Sequence, residues 1–132
     1  MKITVDTNVL VRAVVRDDAK QALAAAKLLK DAELIAVSLP CLCEFVWVLR
    51  RVYNFAQRDI SAALDALLDA GNVVVNRPAV EAGLTVLNAG GDFADGLIAY
   101  EGSWLGGDTF VSFDKKAVSL LIKQGQPSKL LS

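Results

Sequence analysis

The sequence predicts an α/β protein: a three-layer α/β/α domain with a short, mainly parallel central sheet, formed as a single domain over residues 1–132. Three observations carry this. Short apolar runs rich in β-branched residues recur at Ile3-Thr4-Val5, Leu34–Val37, Val73-Val74-Val75 and Thr109–Phe113. Longer stretches with helical signals separate them. Strands with no polar face belong to parallel sheets covered by helices on both sides. The length agrees, since 132 residues fit one domain and bury roughly 68% of the unfolded surface.

Taken in order, Ile3–Val5 reads as the first strand and Asp6-Thr7-Asn8 as its end and the start of a helix through Arg16. Asp17-Asp18 opens a second helix, whose Ala-rich run Ala22–Leu29 has high helix propensity. Leu34–Val37 is the next strand. Pro40 suits a first helical turn, and the helix through Val52 is apolar nearly all round. Asp59-Ile60-Ser61 begins another helix, with Ile60, Leu64, Leu67 and Leu68 on one face and Gly71 as its C-cap. After the strand Val73–Val75, Pro78–Asn88 is helical until Gly90-Gly91. Asp92 opens a helix over Ala94–Leu105 that Gly106-Gly107 stops. The strand Thr109–Phe113 leads to Asp114, which opens a helix from Lys115 to about Lys123. Pro127 and Leu130-Leu131 read as a tail.

Composition excludes several functions. With 54% hydrophobic residues the chain is not disordered. With 22% charged residues and a net charge of −1 it is not a strongly basic nucleic-acid binder, so any such contact rests on a local patch. There is no histidine, which removes Ser-His-Asp and Cys-His catalysis, imidazole bases and His-containing zinc sites. Cys41 and Cys43 lie two residues apart, on different faces of a helix; both read as small buried hydrophobes. No targeting or membrane-spanning segment is visible, and a soluble, cytoplasmic protein is expected.

Four carboxylates stand out by position. Asp6 and Asp114 each follow a short strand, Asp95 opens a helix after a glycine pair, and Glu44 sits in the apolar stretch Cys41–Leu49. In open parallel sheets ligands bind where strand ends meet helix starts, so Asp6 and Asp114 are expected on one edge. Each Asp also has a plainer reading as an N-cap, and Asp92 with Asp95 resembles a capping box. Glu44, flanked by apolar residues, reads as a buried carboxylate needing a partner: either Arg51, two turns on, or the acidic edge. Carboxylates gathered in one cleft repel until a cation supplies the missing charge, and an all-oxygen set suits Mg²⁺ or Mn²⁺. Such a site performs phosphoryl transfer.

Val5-Asp6-Thr7-Asn8-Val9-Leu10, Glu44, Asp92–Ala99 and Val111–Lys116 together resemble the PIN-domain nucleases, and within them the VapC-type toxins of type II toxin–antitoxin pairs. The resemblance runs over essentially the whole chain. It implies a divalent-metal-dependent endoribonuclease whose acidic quartet is Asp6, Glu44, Asp95 and Asp114, as catalytic residues and metal ligands. It places Asn8 and Ser112 in support of the first and last acids, with Asp92 ranked below the quartet. It further implies a homodimer and inhibition by a cognate antitoxin. Gly96, where the family often has Ala, is the departure, and it bears on local helix stability.

RNA needs counter-charges near such a cleft. Arg12, Arg16, Arg50, Arg51, Lys115 and Lys116 are the candidate RNA contacts, with the last two directly after Asp114. Trp47, Trp104, Tyr53 and Tyr100 either stack on unpaired bases or, more commonly at helical spacing, fill the core. The expected reaction is RNA cleavage by metal-activated water, leaving 5′-phosphate and 3′-hydroxyl ends. Two alternatives remain: a non-catalytic PIN-like RNA-binding module, which would be expected to lose acids, and an aspartate-based phosphatase, which wants a second Asp where this chain has Asn8.

Overall fold

Strand and helix alternate along the chain as the apolar runs predict, and every strand pairing is parallel. The computed structural model describes residues 1–132. It divides into two compact units, Met1–Arg77 and Pro78–Ser132.

The first unit holds β1 (Lys2–Thr4), α1 (Thr7–Val15), α2 (Ala19–Asp31), β2 (Leu34–Ala36), α3 (Leu39–Arg51), α4 (Gln57–Asp69) and β3 (Val73–Val74). The strands pair in the order β1-β2-β3, with Ile3 opposite Ile35 and Ile35 opposite Val73. Each parallel neighbour is reached through a pair of helices, because a parallel connection has to cross from one end of the sheet to the other. Asp18 caps α2, accepting the Gln21 N–H at 3.0 Å. Ser38 caps α3, accepting the Cys41 N–H at 3.3 Å, with Pro40 in the first turn where its missing N–H costs nothing,. The core is Leu10, Ile35, Leu42, Phe45, Leu49, Ile60 and Leu64, all buried. α1 packs on α2 and α3, and α3 on α4.

Two local expectations change here. α4 starts at Gln57, two residues before Asp59, and ends on Ala70 in extended conformation, with the Ala70 N–H donating to the Ala66 and Leu67 carbonyls. Gly71 is therefore not a left-handed C-cap; it lies in the turn leading to β3. α3 is also not apolar all round. Glu44 and Trp47 are exposed along one stripe with Arg51, because side chains three and four residues apart share a helix face.

The second unit holds α5 (Arg77–Asn88, from the boundary), α6 (Phe93–Trp104), β4 (Phe110–Ser112), α7 (Lys115–Lys123) and β5 (Ser128–Leu130). β5 replaces the expected tail: it pairs parallel with β4, Phe110 opposite Ser128 and Ser112 opposite Leu130. A three-residue strand on the far side of Pro127 carries no period-two signal to read. Val86, Ala99 and Leu121 form a buried cluster against Phe110 and Leu120. Gly90 and Gly106 have φ of +95° and +103°, the left-handed conformation glycine adopts at low cost after a helix. Gly96 has a different reason. A Cβ there would collide with the Ala82 carbonyl oxygen and lie 2.7 Å from Val86 Cγ2, so glycine lets α6 lie directly against α5.

No helix is long and apolar enough to cross a membrane.

Candidate active site

In the first unit the chain leaves β1 at Val5 and turns into α1 through Asp6. The Thr7 N–H donates to Asp6 Oδ1 at 2.8 Å, so Asp6 caps α1 as the plainer reading expects. The cap uses one carboxylate oxygen and leaves Oδ2 to another partner. Capping and metal binding are therefore compatible in one side chain.

Glu44 projects from α3 and lines two shallow grooves together with Asp6. One, of about 260 Å³, includes Ser38 and Cys41. The other, of about 250 Å³, includes Asn8, Arg12 and Tyr53. Glu44 is exposed, which corrects the expectation of a buried carboxylate. No ion pair joins it to Arg51. Its apolar sequence neighbours Phe45 and Val46 point into the core while Glu44 itself reaches water. Cys41, at the edge of the first groove, is buried, and that burial pushes its thiol pKa up; Thr7 opposes the shift, while the charges of Asp6 and Glu44 add to it. A thiol so protonated is a poor nucleophile. Cys43 is half-buried rather than fully inside.

In the second unit Asp92 caps α6, accepting the Ala94 N–H at 3.1 Å. Asp95 lies inside the first turn instead of opening the helix. It makes no return bond to the cap, so the capping box is not closed. Asp95 is half-buried, and its carboxyl is pushed up to about 6, chiefly by desolvation, then by the charge of Asp92 and then that of Asp114. Asp114 caps α7, its Oδ1 accepting from the Lys116 and Ala117 N–H groups at 3.0 and 3.1 Å. The Asp114 N–H in turn donates to Ser112 Oγ at 2.9 Å, which fixes the turn from β4 into α7. Lys115 and Lys116 are exposed in the first turn of α7.

Within neither unit do three or more Cys, Asp or Glu side chains come close enough to form a finished metal site. The chemistry of the donors nonetheless fits a hard divalent cation. They are all oxygens, and Asp92 and Asp114 act on Asp95 as uncompensated like charges, a repulsion that a bound cation relieves.

In the first unit, Asp17, which the sequence does not single out as a site residue, and Tyr53 form a cluster on Arg12. Asp17 pairs with Arg12 at 2.7 Å, and Tyr53 Oη donates to Asp17 Oδ2 at 3.2 Å. Tyr53 lies 41 residues from Arg12 along the chain, so no local pattern announces the cluster. Trp47 and Trp104 are 59% and 78% exposed, against the expectation that they fill the core. For Trp47 the cause is the solvent stripe of α3; Trp104 sits at the last turn of α6, where no later element covers it.

Against known families, the model of the PIN domain matches residues 3–118. No curated protein gives a significant match.

Proposed function

The chain belongs to the PIN-domain family, and from that premise we propose that residues 1–132 act as one metal-dependent endoribonuclease domain, the toxin of a toxin–antitoxin pair. PIN domains are nuclease-type folds, and the seven helices and short parallel strands here are of that α/β/α class. The catalytic set in this reading is Asp6, Glu44, Asp95 and Asp114, with Asp92, Asn8 and Ser112 in support. The observation that carries it is the match to the PIN domain over residues 3–118, supported by Asp6 and Glu44 lining the same two grooves and by the half-burial of Asp95 within reach of the charges of Asp92 and Asp114. A half-buried carboxyl with a raised pKa marks a candidate functional group.

Asp6, Glu44, Asp95 and Asp114 would hold Mg²⁺ or Mn²⁺, which when bound supplies an activated water and positive charge at the scissile phosphate. The chain's own residues do the positioning. Asp6 and Asp114 are held by their cap bonds, each through Oδ1, with the second oxygen taking no part in the cap. Ser112 fixes the turn that carries Asp114. Lys115 and Lys116 provide exposed positive charge next to it. No imidazole is present to deprotonate a ribose 2′-hydroxyl, so water is the nucleophile and the 3′ oxygen leaves. The products carry 5′-phosphate and 3′-hydroxyl ends. A cognate antitoxin and a second copy of the chain complete this picture as partners in the cytoplasm.

The test is cleavage of single-stranded RNA by the purified protein in Mg²⁺. Asp6→Asn, Glu44→Gln, Asp95→Asn and Asp114→Asn should each lower kcat by at least about a hundredfold, the scale on which removing a group that stabilises developing charge acts. Two or more of these variants at wild-type rates would remove the acidic set as the catalytic machinery. For the toxin role, expression in a bacterial host should arrest growth, and Asp6→Asn should restore it.

A further inference from the structure

Arg12 is the only cation lining either of two adjacent grooves. The first is the groove shared with Asp6 and Glu44. The second, of about 470 Å³, runs between α1 and α2 over Val9, Ala25 and Leu28, with Gln21 at its rim. Asn8 and Arg12 line both, so they form the point where one groove passes into the other.

The Arg12 side chain is held there from two directions. Its Nη1 donates to Asp17 Oδ1 at 2.7 Å and to Tyr53 Oη at 3.4 Å. Tyr53 Oη donates to the other oxygen of Asp17 at 3.2 Å. Asp17 comes from the turn after α1, and Tyr53 from the turn after α3. Both bonds of the guanidinium use Nη1. That leaves Nε and Nη2, the side-on edge that matches two oxygens of a phosphate. Because Asp17 and Tyr53 already fix the rotamer, little side-chain entropy remains to be lost on binding.

We infer that Arg12 is a positioning residue that grips a backbone phosphate of the RNA next to the one cleaved, with Asp17 and Tyr53 holding its guanidinium ready. This rests on the reading of the chain as a ribonuclease. The acids repel every phosphate except the one neutralised by the cation, so a strand leaving them needs a fixed positive group at once. Arg12 stands at that exit. Asp17 neutralises its net charge at long range, which makes Arg12 a local hydrogen-bonding fork and not a general attractor.

The experiment measures binding of a fluorescent single-stranded oligoribonucleotide in EDTA, where no cleavage is expected, by anisotropy across a range of salt concentrations. Arg12→Ala should weaken binding at least about tenfold, as loss of charge-assisted bonds does. It should also reduce the slope of log K against log salt by about 0.7, one phosphate contact on a single strand. Arg12→Lys keeps the charge and loses the fork, so it should keep the slope and bind severalfold more weakly. Tyr53→Phe should keep the slope and lose roughly threefold. A purely structural Arg12–Asp17 tie would leave the slope of every folded variant unchanged, and wild-type affinity and slope in Arg12→Ala would overturn the assignment. If Arg12→Ala fails to fold, wild-type affinity in Arg12→Lys does the same. Absence of RNA binding by the wild-type chain in both EDTA and Mg²⁺ would also overturn it. Wild-type binding that depends on Arg12, without any cleavage in Mg²⁺, would remove the nuclease reading and leave the phosphate contact standing.

Discussion

Asp95 is the residue whose environment speaks most directly. Its carboxyl is raised to about 6 in the folded protein, against an unfolded value near the ordinary 3.9 or so. The folded state therefore holds the proton more tightly. In metal-free solution stability should fall as pH rises from about 4 to about 6, then level off. Asp95→Asn should remove that slope and raise the melting temperature at pH 7, which thermal melts across this range measure. A wild-type melting temperature flat from pH 4 to 6 would show that Asp95 is not crowded. The sequence marks Asp95 by its place after a glycine pair, but not its half-burial, which depends on how α6 lies. Glu44 departs in the opposite sense: it is exposed, because apolar neighbours along a helix do not bury a residue that lies on the helix's outer stripe.

At the level of elements, helix starts were the most legible feature. Asp6, Asp18, Asp92 and Asp114 all cap the helices that follow them, because a side-chain oxygen satisfying orphan amides is a local event. β5 and the end of α4 were not legible, since three paired residues and an extended cap leave no periodic trace. The cap role of Asp114 and its proposed role as a metal ligand can be separated by substitution. Asn caps nearly as well as Asp, so Asp114→Asn should keep stability and abolish cleavage. Asp114→Ala should abolish cleavage and cost about 1 kcal/mol as well, read from urea melts in EDTA. Gly96 gives a second test of packing. Alanine is the better helix former by about 1 kcal/mol, yet Gly96→Ala meets the backbone of Ala82 and the side chain of Val86. It should destabilise by about 1–3 kcal/mol net. A stabilised variant would mean that α5 and α6 are not in close contact.

For the molecule as a whole, the α/β class and the family were legible because four short motifs keep their order along nearly the full length, and residues 3–118 match the PIN domain. The Arg12–Asp17–Tyr53 cluster was not, because it joins turns distant in sequence. Crowded carboxylates also make a prediction about the intact protein. Mg²⁺ should raise its melting temperature, by the equivalent of about 2.7 kcal/mol once the ion reaches roughly 100 times its Kd, and Asp6→Asn should blunt that response. The most direct measurement is end-group analysis of RNA cut by the purified chain, with and without EDTA. A metal-dependent hydrolase with no histidine should yield 5′-phosphate and 3′-hydroxyl ends in Mg²⁺ or Mn²⁺ and no cleavage in EDTA. Cyclic or 3′-phosphate ends, or full activity in EDTA, would contradict it.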